Sequence, residues 1–203
     1  MRALLCGIYV ILDGEAMGDL LGVVDGALRA GVRLFQYREK RGPDKELLLA
    51  LHARIQAASG LLLVNDAVEL AHLADGVHLG QEDLRQQSLP ELRRRLVGKI
   101  IGLSAQTPAQ AAAAGDVDYL GVGPFRATIS KAATRAPLGI GGIVAVARAT
   151  ELPVCAIGGI TREDLGELRA HEIAMAAVIG AIAKAEDPFG AARLLHEAWN
   201  DAA

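Results

Sequence analysis

Val32-Arg33-Leu34-Phe35-Gln36-Tyr37-Arg38-Glu39-Lys40 begins as an apolar strand and ends as a row of side chains suited to phosphate. Successive strand side chains point to opposite faces, so Gln36, Arg38 and Lys40 fall together while Phe35, Tyr37 and Glu39 fall on the other side. A guanidinium grips phosphate oxygens in a two-pronged fork, an ammonium adds a compact charge, and an amide orients whatever is attached. Such a row has little place in a packed core. A solvated edge strand of mixed charge would read the same way, and this stretch alone weighs the two evenly. What repeats around it decides.

Upstream, the apolar run Ile8 to Leu12 reads as a strand, Asp13-Gly14 as a turn, and Met17 to Ala30 as a helix. Downstream, the loop Gly42-Pro43-Asp44 leads into a helix carrying Leu47, Leu48, Leu51, Ile55 and Ala58 at three-to-four spacing. The unit recurs with strands at Leu61–Val64, Gly76–Gly80, Lys99–Leu103, Tyr119–Val122, Val154–Ile157 and Ala176–Ile179, and a closing helix near Pro188–Asn200. Ser88-Leu89-Pro90-Glu91 reads as a capping box, Thr107-Pro108 as an N-cap with a first-turn proline, and Thr161 to Asp164 as another cap. Fully apolar strands alternating with helices signify a parallel sheet covered on its faces. Eight such units favour an α/β fold of the closed (β/α)8 kind, one domain over residues 1–203. An open doubly wound sheet is the alternative, though no GxGxxG follows the first strand.

Composition narrows the function. The chain is 52% hydrophobic and carries a net charge of −3, which argues against a nucleic-acid partner. No segment reaches the ~18 apolar residues of a membrane span. The run Ala3 to Leu12 is broken by Gly7 and lacks a cleavage pattern, so it does not read as a signal peptide. Cys6 and Cys155 both fall in apolar runs and read as buried free thiols of a reducing compartment, which makes the expected location cytoplasmic. Small phosphorylated molecules are the expected partners, and a homo-oligomer is compatible with this reading.

In such a barrel the active site lies at the carboxyl ends of the strands, and the polar residues collect there. Strand two supplies Gln36, Arg38 and Lys40, strand three Asn65 and Asp66, strand four Asp83, strand five Ser104, and strand seven Gly158-Gly159. Asp66 and Asp83 are hard oxygen ligands that suit Mg²⁺ bridging to a phosphate; Asn65-Asp66 also reads as a helix cap, and Asp83 alone as a surface carboxylate. The loop Gly123 to Gly139 contains Thr128, Ser130 and Lys131, suits a second anion, and is long enough to close over a ligand. Gly158-Gly159 and Ile179-Gly180 let backbone N–H groups approach a phosphate, and tight turns would explain both pairs equally. His52, His72, His171 and His196 fall on helices or their ends without metal-ligand spacing, His78 reads as a strand residue, and Cys155 as an apolar filler.

The ordered set Gln36-x-Arg38-Glu39-Lys40, Asn65-Asp66, Gly80-Gln81-Glu82-Asp83, Gly102-Leu103-Ser104, Gly121-x-Gly123-Pro124, Thr128-x-Ser130-Lys131 and Ile157-Gly158-Gly159-Ile160 resembles the thiamine phosphate synthase family. The resemblance runs from about Tyr9 to Pro188 and implies a TIM barrel, a transferase that joins hydroxymethylpyrimidine diphosphate to thiazole phosphate and releases pyrophosphate. It implies that Gln36, Tyr37, Arg38, Glu39, Lys40 and Asn65 hold the pyrimidine diphosphate, with Ser104 and Lys131 completing that site and Mg²⁺ on Asp66 and Asp83. Arg38, Lys40, Ser104 and Lys131 are then the catalytic set, while Thr128, Ile129, Ser130, Gly159, Ile179 and Gly180 hold the thiazole phosphate. No protein nucleophile is required. Two segments depart from the pattern: Arg126-Ala127 replaces an aromatic and a proline, and Ala170-His171-Glu172-Ile173-Ala174-Met175 replaces a Gly-rich turn. A thiazole tautomerase-like isomerase is one alternative, against which the retained Asp66, Asp83 and Lys131 argue; a non-catalytic barrel binding thiazole phosphate or thiamine phosphate is the other.

Overall fold

Each short apolar run is a strand because its residues are buried on both faces, and helices between the strands cover the outside of the sheet. The structure is a computed structural model describing residues 2–127 and 136–202, without the side chains of Arg2 and Gln86. The strands are β1 (Gly7–Asp13), β2 (Leu34–Arg38), β3 (Leu61–Asn65), β4 (Gly76–Leu79), β5 (Ile100–Ala105), β6 (Tyr119–Val122), β7 (Val154–Ile157) and β8 (Met175–Val178). All neighbours pair in parallel, and β8 pairs back onto β1 through Gly7 with Met175 and Tyr9 with Ala177. That pairing closes the barrel and excludes the open sheet. The helices are α1 (Leu20–Arg29), α2 (Lys45–Ala57), α3 (Gln81–Gln86), α4 (Leu89–Arg95), α5 (Pro108–Ala112), α6 (Gly139–Ala147), α7 (Leu165–Ala170), α8 (Gly180–Ala183) and α9 (Pro188–Asp201). Among the described residues no helix is long and apolar enough to cross a membrane.

Strand alternation sorts the core into two layers. Val10, Leu12, Phe35, Tyr37, Leu62 and Val64 point outward, where Val24, Leu48, Leu51 and Ile55 of α1 and α2 cover them. Tyr9, Ile11, Leu34, Leu63, Ile100, Tyr119, Cys155 and Met175 point inward and fill the barrel. Each fully buried aliphatic side chain contributes about 1.5–3 kcal/mol, so both layers hold the fold.

Cap chemistry sets the helix starts. Asp44 Oδ1 accepts from the N–H groups of Glu46 at 2.8 Å and Leu47 at 3.1 Å, and Thr107 Oγ1 accepts from Gln110 N–H at 3.2 Å. Thr161 and Asp164 form a reciprocal box, as read. The box at Ser88 is not made: Ser88 occupies the N-cap of α4, but its side chain bonds no helix N–H. Pro90 removes one of the N–H groups a cap could reach, and the turn is open to water.

Three other expectations need correcting. Cys6 is exposed, because β1 begins only at Gly7. β2 stops at Arg38, which leaves Lys40 in the following turn and outside the strand alternation. Gln36, expected to avoid a packed core, is 3% exposed inside the barrel. In the segment that replaces a Gly-rich turn before β8, Glu172 takes φ of +58°, a left-handed conformation that a glycine would adopt without strain.

Candidate active site

The inward positions turn polar toward the carboxyl ends of the strands. β1 runs Tyr9, Ile11, Asp13 on its inner side, β2 Leu34, Gln36, Arg38, β3 Leu61, Leu63, Asn65, and β5 Ile100, Gly102, Ser104. Apolar layers thus form the barrel floor. Above them the inward groups converge on one mouth.

A chain of hydrogen bonds crosses the lumen at the boundary. Gln36 Nε2 donates to Tyr9 Oη at 2.9 Å, the Tyr9 and Tyr119 hydroxyls are 3.0 Å apart, Tyr119 Oη is 2.8 Å from His78 Nδ1, and His78 Nε2 is 3.0 Å from Ser104 Oγ. Five strands contribute one residue each. The Tyr9 and Tyr119 rings meet edge to face, with centroids 6.0 Å apart. Burial holds the pKa of both phenols above the ordinary range, so both stay neutral. Small residues make room: a Cβ on Gly102 would lie 2.3 Å from the Tyr119 ring, and one on Gly121 would lie 2.8 Å from His78 Cε1.

The basic residues of the β2 end each have an acidic neighbour from the loop after β1. Arg38 pairs with Asp13, and Lys40 with Glu15. Asp13 is buried and also accepts from the N–H groups of Glu15 at 3.0 Å and Ala16 at 3.2 Å, so it is a fixed anchor. Tyr37 turns outward, where its hydroxyl accepts from Asp44 N–H, and Glu39 lies at the strand end beside Gly14.

Asn65 ends β3 and donates to the carboxylate of Asp66, whose φ is +61° and whose N–H donates to the His78 carbonyl at 2.9 Å. Asp83 sits in the first turn of α3 and accepts from Gly80 N–H at 2.7 Å. Gln81 reaches across to the carbonyl of Ser104. Among the described residues no group of three or more His, Cys, Asp or Glu side chains is assembled as a metal cage.

On the opposite side of the mouth, Gly158 and Gly159 take φ of +103° and +72°, conformations that turn their backbone sharply after β7. Arg126 clamps this turn. Its guanidinium donates to the Gly159 carbonyl at 2.9 Å and to both carboxylate oxygens of Asp164, and stacks over Phe125 with 4.8 Å to the ring centroid. Burial alone would raise the Asp164 pKa; the bonds from Arg126 and Thr161 outweigh it and leave the carboxyl below its ordinary value. Ile179 and Gly180 open α8 at the end of β8. Thr128, Ile129, Ser130 and Lys131 lie outside the described residues.

Sequence reading thus located Gln36, Arg38, Asn65 and Ser104 at the carboxyl ends of β2, β3 and β5. It missed Tyr9, Tyr119 and His78, whose polar tips look like ordinary strand residues in apolar runs, and it treated Asp13 as a turn. Two signals were available. Asp13 ends β1 as Arg38 ends β2, opposite charges in adjacent strands, and His78 is the one polar side chain in the run Gly76 to Gly80.

Comparison with known proteins identifies the family of the chain. A family model described as Thiamine monophosphate synthase matches residues 8–182. The Thiamine-phosphate synthase of Anaeromyxobacter dehalogenans is 40% identical over 206 residues, covering 98% of this chain and 90% of its own length. That of Prochlorococcus marinus strain MIT 9313 is 41% identical over 203 residues and covers 96% of this chain, which spans only 56% of that relative's length. A solved structure, thiamine phosphate pyrophosphorylase from Pyrococcus furiosus, superposes with a TM-score of 0.86 at 28% identity over 99% of this chain and 98% of its own. With the family match across nearly the whole barrel and relatives about 40% identical along almost all of it, this chain belongs to the thiamine monophosphate synthase family.

Proposed function

We propose that the protein is a thiamine phosphate synthase, joining hydroxymethylpyrimidine diphosphate to thiazole phosphate with release of pyrophosphate. One observation carries the reading: Gln36, Arg38, Asn65 and Ser104 occupy the inner side of the barrel at the carboxyl ends of β2, β3 and β5, in a chain of this family. These are the residue types that hold an uncharged ring beside a diphosphate.

In this reaction the bond between the pyrimidine methylene carbon and the diphosphate oxygen breaks, and its electron pair leaves with pyrophosphate. The thiazole nitrogen then gives its lone pair to the methylene carbon and becomes the thiazolium nitrogen of the product. The protein contributes position and charge. Arg38, held in place by Asp13, turns its remaining guanidinium N–H groups to the departing anion, and Lys40 exchanges its exposed contact with Glu15 for phosphate oxygens. Gln36 and Asn65 orient the pyrimidine, and Ser104 donates its hydroxyl to the diphosphate. Gly159, Ile179 and Gly180 hold the thiazole phosphate at the other side of the mouth, together with Thr128, Ile129 and Ser130, while Lys131 completes the diphosphate site.

Asp66 and Asp83 suit a Mg²⁺ ion that arrives with its substrate. Two carboxylates, Asp66 just after β3 and Asp83 in the first turn of α3 after β4, form too small a set for a closed cage, and Mg²⁺ is commonly held by one or two carboxylates plus substrate phosphates. Bound there, it would neutralise charge on the leaving pyrophosphate.

The test is direct. Incubation of the protein with both substrates and Mg²⁺ is expected to yield thiamine phosphate and pyrophosphate in equal amounts, separated by chromatography. Absence of both products overturns the proposal, and isomerised thiazole without pyrophosphate points to the tautomerase alternative.

A further inference from the structure

The hydrogen bonds inside the barrel have a direction. An amide nitrogen can only donate, so Gln36 Nε2 gives a hydrogen to Tyr9 Oη. Tyr9 is 2% exposed, and its own hydrogen has one acceptor among the described residues, Tyr119 Oη at 3.0 Å. Tyr119 is fully buried and accepts that hydrogen, with the Gln36 amide a second donor to it, which leaves its own hydrogen for His78 Nδ1 at 2.8 Å. A ring nitrogen that accepts carries no hydrogen. The imidazole hydrogen therefore sits on Nε2 and is donated to Ser104 Oγ at 3.0 Å. With Ser104 Oγ accepting, its hydroxyl hydrogen is left for a further acceptor. At the far end, the Gln36 carbonyl is the half of the amide turned from Tyr9.

We propose that Tyr9, Tyr119 and His78 form a one-way hydrogen-bond relay that holds Gln36 and Ser104 in fixed polarity, presenting a carbonyl acceptor on the β2 side of the mouth and a neutral hydroxyl donor on the β5 side. The three are positioning residues, and the inference rests on the reading of Gln36 and Ser104 as ligand-binding groups. An amino N–H of the pyrimidine meets the acceptor, and an anionic oxygen meets the donor. The polarity is a property of the whole chain: the opposite orientation of the Gln36 amide would reverse every bond and move the imidazole hydrogen to Nδ1. Water does not reach the links among Gln36, Tyr9 and Tyr119, which are all buried, while His78 and Ser104 are half-buried toward the mouth.

The tautomer of His78 decides the matter without substrate. In protein labelled with ¹⁵N-histidine, long-range ¹H–¹⁵N correlations separate the two neutral tautomers, and the His78 signal is identified by its loss in His78→Gln. The Nε2–H tautomer is expected. An Nδ1–H ring overturns the relay. In the second arm, Tyr119→Phe keeps the ring beside Gly102 and removes every bond of the hydroxyl; the His78 signal is then expected to become a mixture of tautomers, and kcat/KM to fall about tenfold. Adding Ser104→Ala to Tyr119→Phe is expected to cost much less than Ser104→Ala costs alone, because the serine has already lost its fixed polarity. A single retained tautomer, an unchanged kcat/KM, or a fully additive double variant counts against the relay. Should Tyr119→Phe not fold, Tyr9→Phe breaks the same chain one link earlier and carries the same expectations. If the wild type makes no thiamine phosphate, the proposed function fails, and the tautomer measurement still decides the relay.

Discussion

Arg38 and Asp13 stand opposite one another in the register of β2 and β1 and form an ion pair of which both side chains are largely buried. Because two backbone N–H groups already hold Asp13, the carboxylate positions the guanidinium and not the reverse. Lys40 and Glu15 repeat the arrangement at the exposed edge, where an ion pair contributes little to stability.

Arg38→Ala and Lys40→Ala are each expected to lower kcat/KM about tenfold or more, since charge-assisted hydrogen bonds are worth roughly 1.5–3 kcal/mol. Their effects on stability should differ. Urea unfolding should show Arg38→Ala destabilised, because Asp13 is left buried without its cation, and Lys40→Ala nearly unchanged. Near-normal kinetics in both variants would remove this row from the site.

Gly102→Ala places a methyl group 2.3 Å from the buried Tyr119 ring, so the ring or the strand must shift. A loss of about 1–3 kcal/mol is expected from such overpacking. An unfolding midpoint equal to that of the wild type would show that the ring can move aside.

Arg126→Ala releases the Gly158-Gly159 turn and leaves the carboxylate of Asp164 without its guanidinium. Arg126 is half exposed, so the loss at neutral pH should be only about 1 kcal/mol. Its pH dependence follows from the lowered pKa of Asp164: the stabilisation is complete above the ordinary aspartate value of about 3.9 and is lost as pH falls through the lower folded value. Wild type and variant should therefore converge in stability at acid pH. A gap that stays constant to the acid limit would assign the effect of Arg126 to something other than this pair.

Asp66→Asn and Asp83→Asn are each expected to raise the Mg²⁺ requirement about tenfold, which corresponds to only ~1.4 kcal/mol in metal binding. In Asp83→Asn the new amide oxygen can still accept from the Gly80 N–H, so the turn should persist. Turnover with an unchanged Mg²⁺ titration, or undiminished turnover in excess EDTA, would contradict the metal assignment.

Local physics was legible in the chain itself. Apolar runs of strand length, caps at Thr107 and Thr161, and a unit repeated about eight times are consequences of backbone geometry and side-chain burial, which act over a few residues at a time. They were enough for a closed barrel and for the ring of polar residues at its strand ends. Tertiary structure decided what depends on distance through space. Tyr9 meets Tyr119 only because closure brings β1 and β6 face to face across the lumen, and Gln36 is tolerated in the interior only because that meeting supplies its partner. The same applies to Arg38, whose partner Asp13 lies 25 residues earlier, and to Arg126, whose partner Asp164 lies 38 residues later. A lone polar side chain in an apolar strand carries no sign of its partner, because burial becomes favourable only once the fold has brought the second hydrogen-bonding group within reach.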